Sequence, residues 1–76
     1  MVQQAKRHAE TGISNEQYNL ISIMYHSLQS AAVCDLYIQD ADQSGDQELT
    51  NFFQQVKDQA CKQADQAKQL MGKRIS

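Results

Sequence analysis

Proline and tryptophan are absent from the 76 residues, and glycine occurs only three times. So few backbone breakers exclude turn-rich β architectures and leave helix to dominate. Cysteine is scarce too: Cys34 and Cys61 are too few for the framework of a small disulfide-held scaffold. No basic start leads into an apolar run, so no signal peptide is expected and the reducing cytoplasm is the expected setting. No apolar run approaches the about 20 positions needed to cross a bilayer. Charge of neither sign accumulates, since 7 basic and 9 acidic residues are interspersed and sum to −2. Nucleic acids and anionic membranes are recognised by clustered basic faces, so neither is an expected partner. Ser-His-Asp and Cys-His arrangements, phosphate-cradling glycine loops and Cys-x-x-Cys spacings are also missing. No enzyme and no cofactor are expected.

What the chain does have is glutamine, thirteen of them, set on polar positions where a good helix former is favoured. Residues 1–13 read as a flexible polar leader with too few apolar side chains to anchor it. Ser14-Asn-Glu-Gln17 is a capping box, in which the Ser14 hydroxyl and the Gln17 side chain each satisfy a free backbone N–H. The first helix is predicted over about 15–43. Gly45 supplies the left-handed residue that ends it, and Asp46 is the N-cap of a second helix over about 47–73.

The second helix carries one wide apolar stripe, Leu49, Phe52, Phe53, Val56, Ala60, Ala64, Ala67, Leu70 and Met71, at steps of three and four residues. Its opposite face holds Lys57, Asp58, Lys62, Asp65 and Lys68, with Asp58 and Lys62 at ion-pair spacing. The first helix is apolar on two faces, with Ile21, Met24, Leu28 and Ala31 or Ala32 on one and Ile23, Val33, Cys34, Tyr37 and Ala41 on the other. Two helices of about 42 Å joined by a tight turn lie antiparallel, so the second helix can cover only one of those faces. The expected fold is therefore all-α: an antiparallel hairpin of residues 14–76 that pairs with a second copy into a four-helix bundle, as homodimer or higher oligomer. Such a small chain buries only roughly 60% of its unfolded surface and needs a staple of this kind.

With the turn at Gly45 as midpoint, residues at one height on the two helices have numbers adding to about 90. Cys34 and Cys61 then lie at different heights, and both are expected as reduced packing residues. His26 has no second histidine or carboxylate three or four positions on, so it is expected as a packed or interfacial side chain, and His8 as a solvated one. Asp40-Ala-Asp-Gln-Ser-Gly-Asp-Gln-Glu48 matches the start of a calcium loop. However, Gln47 and Asn51 stand where such a loop carries an aliphatic residue and its closing bidentate Glu. A helix end followed by a helix start explains the same residues without an ion.

Residues 18–75 resemble the ferritin-like superfamily, its rubrerythrin branch in particular. The likeness rests on Leu28, Tyr37, Asp40-Ala41, the turn Gly45-Asp46-Gln-Glu-Leu49, Phe52-Phe53, Ala64 and Ala67-Lys68. The resemblance implies half of a four-helix bundle that houses two metal ions, with a Glu from one helix of each pair and a Glu-x-x-His from the other. On this chain those ligand places fall at Ser30, Ala60 and Gln63. A hydroxyl, a methyl and an amide cannot replace the anionic oxygens a hard dication needs, so no metal site is implied. The function expected is that of a non-catalytic, metal-free structural or interaction protein whose partner is itself, together with an unidentified protein. The alternative is a metal-binding protein, with calcium at residues 40–51 or a transition metal held by His26 and carboxylates from across an interface. A third possibility is a small regulator using Lys6, Arg7 and His8 of the leader.

Overall fold

The computed structural model describes residues 14–74, which form two helices, α1 (Asn15–Gln43) and α2 (Gln47–Arg74). The leader, 1–13, and the last two residues lie outside the described residues. The start of α1 is the capping box: the Gln17 N–H donates to Ser14 Oγ at 3.2 Å, and the Ser14 N–H donates to Gln17 Oε1 at 3.3 Å. At its end the Asp46 N–H reaches back to the Ala41 carbonyl at 2.9 Å and the Gly45 N–H to that of Asp42 at 3.0 Å. This double closure requires a left-handed residue, and Gly45 has φ +75°. Asp46 then starts α2, its Oδ1 accepting from the Leu49 N–H at 3.1 Å. Only Ser44, Gly45 and Asp46 separate the helices, so the chain must reverse into an antiparallel pair.

Contacts along the pair fix its register. The Tyr37 and Phe53 rings meet at 5.5 Å, Ser27 Oγ donates to Gln63 Oε1 at 3.3 Å, and Lys57 reaches Asp35 at 2.7 Å. At the open end Gln17 Nε2 donates to the Arg74 carbonyl at 3.2 Å, and the Arg74 guanidinium turns back onto the Leu70 carbonyl at 3.0 Å. The first two pairs have numbers summing to 90, as a turn centred on Gly45 dictates.

The seam between the helices differs from expectation. Helix α2 covers neither apolar face of α1 in full: it takes Ala31 from the first and Cys34 and Ala41 from the second, and leaves most of their bulkier members uncovered. It covers the strip between the two faces, where Ser27, Ala31, Cys34 and Ala41 are buried against Ala60, Ala64 and Ala67. The steps of three and four in both sets are those of helices packed nearly parallel to one another. Small side chains win this position because they let the two axes approach closely, and bulkier ones are displaced to either side. The result is a slab of 50 × 25 × 14 Å, about one helix thick, with both broad faces uncovered. Tyr25 and Leu36 remain 60% exposed, and Leu28 and Phe52 remain 55% and 54% exposed.

Candidate functional site

One broad face carries Ile23, His26, Ser30, Val33 and Tyr37 from α1 at steps of three and four residues, the helical repeat that keeps side chains on one stripe. Beside them α2 contributes Phe52, Val56, Gln63 and Leu70. Towards the turn these side chains line a groove of about 450 Å³ bounded by His26, Ser30, Val33, Tyr37, Phe52 and Val56. Towards the open end a second depression of about 330 Å³ lies between Ile23 and Leu70, with Glu16 and Arg74 at its rim. No charged side chain lines the first groove. Its chemistry suits apolar side chains, with the Ser30 hydroxyl, the Gln29 amide and an imidazole available for hydrogen bonds.

The opposite broad face has a different character. Met24 and Leu28 border a depression there, but Asp65 and Lys68 line it as well, and the Lys57–Asp35 ion pair lies on the same side. The Asp35 carboxylate accepts a hydrogen bond from the Lys57 ammonium and holds its pKa above the ordinary 10.5. Asp58 was paired with Lys62 by spacing, but it accepts instead from Gln54 Nε2 at 3.2 Å. Lys57 was expected on the outward face. It leans over the seam edge, and only the register between the helices, not spacing within either one, brings it to Asp35.

The residues singled out by sequence fall in different places. Ser30 sits in the groove, Ala60 is buried in the seam, and Gln63 accepts from Ser27 beside it. His26 is exposed, its ring edge-on to Tyr25 at 5.3 Å, so within the single chain it is not a packed residue. Cys34 is a buried free thiol in the seam, as a packing residue should be. Cys61 is also free but exposed: it follows Ala60 directly, and one step along a helix turns a side chain about 100° away from the seam. Residues 40–51 do not make a twelve-residue loop. Asp40 and Asp42 are in the last turn of α1, Asn51 is in the second turn of α2 bonded to Gln47, and the Asp46 carboxylate is occupied as a cap. Among the described residues no three His, Cys, Asp or Glu side chains gather into a group able to hold a metal ion. Nor, among them, is any helix long and apolar enough to cross a membrane.

Comparison of the chain with protein family models, with curated proteins and with solved structures finds no match in any of the three.

Proposed function

We propose that this chain is a non-catalytic, metal-free protein of ferritin-like build that works as a homodimer, two hairpins closing a four-helix bundle, in a structural or interaction role. The observation that carries the reading is the contrast between the seam and the faces. Alanine, serine and cysteine take the buried positions, while Tyr25, Leu28, Leu36 and Phe52 stay more than half exposed. Fully burying one large apolar side chain is worth about 1.5–3 kcal/mol, so a lone hairpin leaves several such contributions unused. Of these side chains Phe52 lines a groove with Val33, Tyr37 and Val56, and apolar side chains gathered in this way mark an interface. The ferritin-like element rests on the sequence resemblance, and the hairpin register set by the turn at Gly45 is compatible with it.

Sedimentation equilibrium on the full chain, from nanomolar to tens of micromolar, tests the reading. The expected result is a reversible dimer whose helical signal fades as it dissociates. A fully helical monomer at micromolar concentration would refute it.

A further inference from the structure

We propose that a second copy of this chain docks antiparallel on the face carrying Ile23, His26, Ser30, Val33 and Tyr37, with a two-fold axis at the height of Ser30. The inference rests on the homodimer reading and goes beyond it by naming the face, the direction and the axis.

The choice of face follows from charge. In a two-fold interface each patch meets its own image, so any charge near the axis meets an equal charge. The groove of His26, Ser30, Val33 and Tyr37 has no charged lining, whereas the opposite face presents Asp65 and Lys68 in its depression and the Asp35–Lys57 pair beside it. The first face carries its charges, Glu16 and Arg74, only at the open end, far from the axis, whereas the opposite face would bury ions near the axis, which costs several kcal/mol per ion unless each is well paired.

Direction follows from the ends. The turn end carries Asp40, Asp42, Asp46 and Glu48 with no basic residue among them, while α2 ends at the other extreme in Lys73 and Arg74. Parallel stacking would set acid on acid. Antiparallel stacking brings the basic end of each copy over the acidic turn of the other.

The axis follows from length. The helices span Asn15–Gln43 and Gln47–Arg74, so their midpoints fall next to Ser30 and Ala60, which the register sets at one height. An axis there overlaps the two hairpins over their whole length. A strip about 43 Å long and about 20 Å wide gives on the order of 800 Å² per copy, which is what a stable interface of standard size buries.

Disulfide trapping tests all three elements. In a full-length chain carrying Cys34→Ala and Cys61→Ser, Ser30→Cys should form an interchain disulfide within minutes of mild oxidation at micromolar concentration, because the two-fold axis brings that position next to its own copy. Leu28→Cys, on the opposite face, should not. If Cys34→Ala disturbs the seam, the same pair is built with the buried Cys34 retained. A dimer that links through position 28 rather than 30, through both equally, or through neither overturns the face or the axis and leaves the homodimer standing. A parent that sediments as a monomer overturns both.

Discussion

Gly45 is the point at which the turn can be tested without touching either helix face. At φ +75° an alanine would sit in the left-handed region, at a cost of about 1–2 kcal/mol, while a Cβ built there meets nothing within 4 Å. No clash adds to that strain. Alanine also restricts the unfolded chain, which returns about 0.4–1 kcal/mol. The net loss for Gly45→Ala is therefore about 1 kcal/mol. For a domain of this size that corresponds to roughly 4–8 °C in Tm. Asn tolerates the left-handed region better, so Gly45→Asn should fall by less. Gly72→Ala is the internal control: it lies inside α2 with the same open space around it, and there alanine should raise Tm, by less than the about 1 kcal/mol of a mid-helix site because the position is in the final turn. Thermal melts followed by far-UV circular dichroism decide the matter, at one fixed protein concentration because association shifts Tm. If Gly45→Ala melts at or above the parent, or if both glycine variants move the same way, the turn geometry described here is wrong.

Three further expectations concern the site. Restoring the ferritin-like ligands with Ser30→Glu, Ala60→Glu and Gln63→His should lower stability at neutral pH, since Ala60 is buried and a carboxylate there loses hydration. Burial raises a carboxylate's folded pKa, so the loss should shrink as the pH falls, and ferrous, manganous or zinc ions should raise Tm in the variant but not in the parent. A variant as stable as the parent and indifferent to all three metals would remove the ferritin-like reading. Asp46→Ala should cost about 0.5–2 kcal/mol by leaving the Leu49 N–H without its cap, and millimolar calcium should leave the parent's Tm unmoved. A saturable calcium shift abolished by Asp40→Ala would reinstate the cation loop. Thiol labelling in the native state should modify the exposed Cys61 rapidly and the buried Cys34 only on the timescale of opening, and equal rates would contradict the seam.

The hairpin was legible because its determinants are local. Ser14 with Gln17, Gly45 and Asp46 each act within a few residues, and the helix bounds follow to within a residue of Asn15–Gln43 and Gln47–Arg74. The face of α1 that meets α2 was only partly legible, with Ala31 assigned to one stripe, Cys34 and Ala41 to the other and Ser27 to neither, for a physical reason. Helix α1 is apolar nearly all the way round, and periodicity then favours the bulkiest stripes, whereas the closeness of two helix axes is governed by the smallest side chains. Reading Ser27, Ala31, Cys34 and Ala41 as a small-residue stripe matching Ala60, Ala64 and Ala67 would have found the seam. The groove went unseen for the same reason, since it exists only once that strip is taken as the contact. Cys61 was misjudged on its residue type, although its position one step past Ala60 already turned it outward.

The polar side of α2 is braced mainly by amides. Gln54 donates to Asp58, Gln69 to Asp65 and Gln47 to Asn51, each four residues apart, and among the described residues the ion pair between the helices is Lys57 with Asp35, at the surface. Dissolved salt screens attraction between exposed charges over a Debye length of about 10 Å at 0.1 M, but it has little purchase on a short hydrogen bond from a neutral amide. Ionic strength therefore acts on two levels of this molecule unequally. Raising it should leave the helical content of the assembled protein where it was, while weakening the attraction of Lys73 and Arg74 for an acidic turn laid against them. Added salt thus separates what holds each helix from what orients one hairpin on the next.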